Sequence, residues 1–185
     1  MPSYSSPPLY LSPCLWDRRG RLTQTPILLL IALIACVLVA VTAAIHAVGL
    51  AVLIKILVRS HALSTTGYHH IIWLLIGLTF WLSLIHIAEI AVWGMFYFWQ
   101  GCLPDAESAF YFAGVTYTTL GYGELVLSKP WRMLAPLEAL TGILMCGLSA
   151  GVFFAVLLRL FRNQVKLETS SKISTPSAQH SRGAA

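Results

Sequence analysis

The chain has 185 residues, of which 57% are hydrophobic and only 10% are charged. Because a soluble globular domain carries about 25% charged residues, this chain has too few polar side chains to cover its surface in water, and a membrane protein is predicted. The net charge is +5 with histidine neutral. The basic residues flank apolar runs instead of alternating with exposed aromatics, which indicates membrane-interface anchors and not a nucleic-acid surface.

The N-terminal residues 1–24 are rich in proline and serine, show no apolar period and are predicted to be a flexible tail. A first helix is predicted over residues 25–59, with Thr25 as N-cap and Pro26 at its first position. It carries no lysine, arginine, aspartate or glutamate from Ile27 to Ile54. This run exceeds the roughly 20 helical residues that cross a bilayer core, so the helix is predicted to span the membrane.

A cleaved secretory signal peptide is an alternative for the same run, with the preceding arginines as its basic region and Thr42-Ala43-Ala44 as the cleavage site. The apolar residues continue past that site to Val58, and the tail before the run is long. A membrane span is therefore the favoured interpretation.

Two further apolar segments, residues 71–100 and 131–162, are predicted to span the membrane. Tryptophan, tyrosine and phenylalanine residues near the end of the former suit an interface belt. Residues 163–185 are polar without periodicity and are predicted to be a disordered C-terminal tail.

The four cysteines show no metal-ligand spacing. Cys36 and Cys146 lie inside apolar runs and are interpreted as packing residues. A disulfide between Cys14 and Cys102 would require both to face an oxidising compartment.

A short helix is predicted between the last two spans, with Asp105 as N-cap and Glu107 in its first turn. Extending to about Thr118, it reaches roughly 20 Å, too short to cross a core of about 30 Å. Gly121 and Gly123 follow, where a helix should not continue. Because non-helical backbone at membrane depth must be buried in protein or line a wet cavity, we predict a re-entrant loop whose carbonyls act as a selectivity filter.

The run Thr116-Tyr117-Thr118-Thr119-Leu120-Gly121-Tyr122-Gly123-Glu124 resembles the signature of the pore-loop potassium channel family, which is threonine-rich and then reads Thr-Val-Gly-Tyr-Gly-Asp. The segment from Trp131-Arg132 through Gly142 is similar to the inner helix of small bacterial members with an extra helix before the two-helix pore. This chain departs from the pattern at Leu120 and Glu124. It also has Val115 where some bacterial members place a glutamate behind the filter.

The resemblance implies an all-α membrane protein that assembles as a homotetramer in the lipid bilayer. Within a membrane domain of residues 25–162, it implies a peripheral helix over 25–59, an outer helix over 71–100, a pore helix and filter over 105–124, and an inner helix over 131–162. It implies potassium sites, and no other cofactor, at Thr118, Thr119, Leu120, Gly121, Tyr122 and Gly123, with support from Thr116 and Glu124.

The function implied by the resemblance is passive potassium conduction across a bacterial inner membrane, without enzymatic activity. The family places the filter mouth outside, so the C-terminus is expected in the cytoplasm and, with three spans, the N-terminus outside. The nearest alternative is a weakly selective cation channel, because the residues do not show whether the filter is conductive.

The candidate gating residues are less specific. The resemblance implies a bend of the inner helix at Gly142, with Gly147 and Gly151 as alternatives; the other interpretation of these glycines is close helix packing. His86 and Glu89 lie one turn apart in the outer helix, and Glu138 lies in the inner helix. Ionisable groups at such depths usually face protein and mark function, which leads to the hypothesis that the His86–Glu89 pair makes the current pH-dependent.

Two other interpretations of these ionisable residues stay open. One is a structural hydrogen bond between His86 and Glu89, with His46 as a packing residue. The other is an intramembrane metal-dependent enzyme or transporter that uses His86, Glu89 and Glu138. Enough ligands for such a site are supplied by His46, His69, His70, His86, Glu89 and Glu138, although their spacing matches no strong metal motif.

Overall fold

The computed structural model describes residues 18–60 and 68–174, and this part of the chain contains helices and no strand. The elements are α1 (Arg18–Arg59), α2 (Tyr68–Trp99), α3 (Ala106–Tyr117), a 3-10 turn (Trp131–Met133) and α4 (Leu134–Ser174). Three stretches are long and apolar enough to cross a membrane, namely Pro26–Arg59, His69–Trp99 and Trp131–Lys166. The predicted all-α class with three spans and a short intervening helix is confirmed, whereas the tetramer stays a prediction.

Two helices extend beyond their predicted limits. The N-cap predicted at Thr25 is wrong, because α1 already begins at Arg18 and contains Pro26 in its interior. A proline removes one hydrogen bond and crowds one carbonyl, but the arginine, leucine and glutamine residues before it favour helix strongly. Likewise α4 continues past residue 162 to Ser174, through residues with high helix propensity such as Gln164 and Lys166. Cys14, and with it the suggested disulfide to Cys102, lies outside the described residues.

The short helix α3 lies at the centre of the larger hydrophobic core. Its residues Ala109, Ala113 and Tyr117 are fully buried against Trp93 and Tyr97 of α2. Gly94 of α2 allows the closest approach, because a Cβ atom there would lie 2.7 Å from the Phe110 ring and 3.1 Å from the Phe110 Cα. Small residues on both helices therefore let α3 insert beside α2.

A second core cluster joins α1, α2 and α4 without α3. It contains leucines of α1 and α2 with Val156 and Leu160 of α4. The indole of Trp81 also donates a hydrogen bond of 3.0 Å to the Gly49 carbonyl of α1. Since α3 contributes to only one of the two clusters, it occupies one end of the bundle and does not run its full length.

The outward faces of the long helices are apolar and uncovered within one chain. Leu29, Leu33, Val48 and Ile87 are each at least 60% exposed. An apolar surface of this extent is stable against lipid or against other protein, not in water. The chain is therefore an integral membrane protein.

Candidate functional site

The start of α3 is capped as the sequence predicts. Asp105 precedes the helix in extended conformation, and its Oδ1 accepts a 2.8 Å hydrogen bond from the Ser108 backbone N–H. The Ser108 hydroxyl donates to the other carboxylate oxygen at 3.0 Å. These bonds, the backbone bond first, lower the pKa of Asp105 below its ordinary value. With 12 residues, α3 is about 18 Å long and does not cross a bilayer core of about 30 Å.

The end of α3 is a Schellman-type cap in which Thr119 takes the position usually held by glycine. The Leu120 N–H donates to the Val115 carbonyl at 3.0 Å and the Thr119 N–H to the Thr116 carbonyl at 2.9 Å, the two bonds that define this motif. Thr119 has φ of +63°. A β-branched residue in this region is an outlier, of the kind that clusters at functional sites.

Beyond the cap, left-handed backbone recurs at every second residue. Gly121 has φ of +53° and Gly123 has φ of +84°, while Leu120 and Tyr122 between them do not have positive φ. In an extended strand successive carbonyls point to opposite sides, whereas alternation between left- and right-handed conformations turns them toward one side.

The carbonyl oxygens of Thr119 to Gly123 accept no hydrogen bond from any backbone N–H in the described residues. Residues 119–123 are exposed within one chain. Their five unpaired carbonyls are therefore available to a ligand that accepts oxygen donors, such as a dehydrated cation.

The outer end of this segment is tied to α3 by one exposed hydrogen bond, in which the Tyr111 hydroxyl donates to Glu124 Oε1. This bond, as the largest cause, raises the pKa of Tyr111. It links residues 118–124, the predicted filter segment, to α3 one turn away from Val115. The position of Tyr111 gave no sequence signal for this role.

The inner end is held from two sides at Tyr117, the last residue of α3. The phenol hydroxyl donates to Glu89 Oε2 of α2. Behind the backbone stands Gly142 of α4, where an added Cβ would lie only 2.1 Å from the Tyr117 carbonyl oxygen. Gly142 is therefore required for close contact between α4 and α3. A gating bend at Gly142 stays a prediction.

Glu89 is the centre of a buried polar network that joins all four helices. His46 Nδ1 of α1 lies 2.8 Å from Glu89 Oε1, and His86 Nδ1 lies 3.3 Å from Oε2 and 3.1 Å from the Tyr117 hydroxyl. His86 Nε2 lies 3.1 Å from the Ser149 hydroxyl of α4. Glu89 and His46 are almost completely buried. The predicted contact between His86 and Glu89 is present, and its effect on the pH dependence of a current stays a prediction.

The bond between His46 and Glu89 is not predicted from the sequence. The sequence favours a packing role for His46 and also includes it among possible metal ligands, yet it bonds Glu89 across 43 residues of chain. His46 is the only ionisable side chain other than cysteine between Ile27 and Ile54. That isolation is the signal that could have identified it, since such groups inside a membrane segment rarely lack a partner.

Glu138 does not join this network. Its Oε2 accepts a 2.7 Å hydrogen bond from the Tyr97 hydroxyl, and both residues are fully buried. The metal-ligand set of His86, Glu89 and Glu138 is therefore not assembled; in the described residues the group that could hold a metal is His46, His86 and Glu89.

The remaining predicted site residues lie on the open side of the segment. Leu120 and Tyr122 are at least 60% exposed within one chain, and Thr116 lines a groove beside them. A Cβ atom at Gly147 would meet nothing within 4 Å, so its predicted gating or packing role has no counterpart inside a single chain.

One comparison with known proteins matches the region that contains this segment. Residues 85–159 match the model of a protein family described as "Ion channel". The match begins in the second half of α2 and includes α3, the segment with alternating φ, and α4 up to Arg159. No curated protein and no solved structure matches the chain significantly. The region from the second half of α2 to α4 is therefore similar to this ion channel family.

Proposed function

We propose that the protein is a potassium-selective channel in which four copies surround one pore and conduct potassium passively, without enzymatic activity. The observation that carries the proposal is the row of unpaired carbonyls from Thr119 to Gly123 with positive φ at every second residue. At the inner end of this row, the Thr119 hydroxyl would add a further oxygen ligand. Thr118 precedes it, and its hydroxyl donates a 2.7 Å hydrogen bond to the Gly114 carbonyl.

The physical basis of selectivity is the replacement of the ion's water shell by carbonyl oxygens. The C-terminal end of α3 directly precedes this segment and carries the negative end of the helix dipole, which stabilises a cation where it loses water. The position of each oxygen depends on the anchors at Tyr117 and at Glu124.

The tetramer is supported by the surface beside the filter segment. A groove of about 540 Å³ runs along α3, the filter segment and the start of α4. Its neighbours Leu120, Tyr122, Val126 and Met133 are all more than half exposed in one chain. The carbonyls of a single chain cannot enclose an ion. Copies of the chain related by rotation about one axis form a closed ring in which the same contact between neighbours is repeated. A second copy would cover these apolar side chains.

For orientation we propose a cytoplasmic C-terminus, with the mouth near Glu124 facing outward. The basic residues Arg159, Arg162 and Lys166 at the end of the last span favour the cytoplasmic side. With three spans the N-terminus lies outside, and we place the protein in a bacterial inner membrane because of its resemblance to small bacterial channels.

The reversal potential of the purified protein in planar bilayers, under opposed potassium and sodium gradients, tests the proposal. We expect it to follow the potassium equilibrium potential. A reversal near zero would indicate the weakly selective cation channel instead, and absence of any current would reject the channel as such.

The matched variants are Gly121→Ala and Gly77→Ala. Neither Cβ would meet an atom within 4 Å, but Gly121 has positive φ, where alanine costs about 1–2 kcal/mol. We expect Gly121→Ala to lose selectivity and Gly77→Ala to retain it.

A further inference from the structure

We propose that His46, His86 and Glu89 form a binding site for a divalent first-row transition metal, with Zn²⁺ as the test ion, between α1 and α2. The inference goes beyond potassium conduction, and binding at this site does not depend on that function. Each residue offers one ligand atom, and these atoms all lie within 4.8 Å of one another.

The spacing of the donor atoms is close to what the metal requires. Zn²⁺ bonds nitrogen and oxygen at about 2.0–2.2 Å in a tetrahedron, so its ligand atoms stand about 3.4 Å apart. Each imidazole already has one nitrogen within 3.3 Å of a Glu89 carboxylate oxygen. The widest spacing has to close by about 1.4 Å, which small rotations of long side chains supply.

The donor set selects the class of metal. Two imidazoles and one carboxylate suit zinc and its neighbours, whereas calcium and magnesium prefer all-oxygen sites. The Tyr117 hydroxyl, bonded to Glu89 Oε2 and 3.1 Å from His86 Nδ1, lies beside two of the three proposed ligands. A divalent ion also offsets the negative charge of a carboxylate that is completely buried at membrane depth.

The surroundings of His86 suit a metal ligand. Its Nε2 is paired with the Ser149 hydroxyl, the outer bond that orients a metal-ligating imidazole. His86 retains 19% side-chain exposure, whereas His46 and Glu89 are buried.

Occupancy of the site would act on the filter segment through Tyr117. Drawing the Glu89 carboxylate toward both imidazoles changes the hydrogen bond that holds the end of α3. We therefore expect Zn²⁺ to alter the current; this consequence rests on the proposed function, and the binding itself does not.

Calorimetric titration of the full-length protein in nanodiscs with Zn²⁺ tests the site. We expect one ion per chain, with at least a tenfold weaker affinity in His46→Gln and in His86→Gln. His70→Gln, at an exposed position near the start of α2, is the matched control and should bind as the unsubstituted protein does. Zn²⁺ should also raise the melting temperature of the unsubstituted protein and of His70→Gln only.

The visible absorption spectrum of bound Co²⁺ tests the site in the unsubstituted protein, so it does not depend on whether the variants fold. Co²⁺ in the unsubstituted protein should give the intense visible bands of four-coordinate geometry, and Zn²⁺ should abolish them. Absence of stoichiometric binding by the unsubstituted protein would overturn the proposal, as would equal binding by folded His46→Gln and His86→Gln. If Zn²⁺ has no effect on a current that is still potassium-selective, the metal-site proposal fails and the proposed channel function does not.

Discussion

The two ends of the filter segment are held in different ways. At the inner end Tyr117 is buried, its hydroxyl bonded to Glu89 and its backbone in contact with α4 at Gly142. At the outer end a single exposed bond joins Tyr111 to Glu124, and Tyr122 is 65% exposed. The inner end is therefore fixed by buried contacts within one chain, whereas the outer end is joined to α3 by an exposed bond.

From this difference we expect substitutions at the inner end to affect folding and substitutions at the outer end to affect mainly conduction. Changes at the inner end disturb buried contacts among three helices, so they should lower the stability of the chain itself. Changes at the outer end remove exposed contacts, which contribute little to folding.

The largest effect is expected from Gly142→Ala. A Cβ atom 2.1 Å from the Tyr117 carbonyl oxygen forces α3 and α4 apart, and such overpacking costs about 1–3 kcal/mol or more. We expect a large fall in melting temperature and loss of current. Gly151→Ala, where a Cβ atom meets nothing within 4 Å, is the control on the same helix. Equal melting temperatures for the two variants would contradict the close contact.

The next largest effect on stability is expected from Glu89→Gln, with Glu138→Gln as the comparison at the other buried carboxylate. In Glu89→Gln the amide group would face hydrogen-bond donors from His46, His86 or Tyr117, and each donor left unpaired costs about 1–3 kcal/mol. In Glu138→Gln the amide oxygen still accepts from Tyr97, and the NH₂ group takes the place of an oxygen that has no partner. We expect a loss below about 1 kcal/mol there. Thermal unfolding of both variants measures the difference, and a reversed order would refute the description of Glu89 as the centre of the network.

The smallest effect on stability is expected from Tyr111→Phe, which removes the exposed bond to Glu124. Since that bond raises the pKa of Tyr111 from its ordinary value of 10.0, its stabilisation is fully present below about pH 10 and is lost as the pH rises through the folded-state pKa. The small difference between Tyr111→Phe and the unsubstituted protein should therefore be constant from neutral pH to about 10 and shrink above it. A difference that grows at high pH would contradict this sign.

The sequence predicted those features that depend on local composition. Long apolar runs predicted three spans, and Asp105 predicted the start of α3, because capping involves residues three apart. The limits of α1 and α4 were misjudged, since Pro26 and the polar residues after 162 are tolerated by helices that continue through them.

Features that depend on contacts between helices could not be predicted in the same way. The bond from His46 to Glu89 and the pairing of Glu138 with Tyr97 depend on how α1, α2 and α4 rotate against each other, which periodicity does not determine in helices that are apolar on all sides. Likewise the sequence predicts Thr119 as an ion ligand but not its left-handed backbone, which depends on the hydrogen bonds that end α3.

Solid-state NMR of the protein in lipid bilayers, with ¹³C-labelled backbone carbonyls, tests the central claim most directly. When potassium replaces sodium, we predict carbonyl shifts confined to residues 119–123, saturating with potassium concentration. Carbonyl signals at these positions that respond identically to both ions, or not at all, would contradict the account.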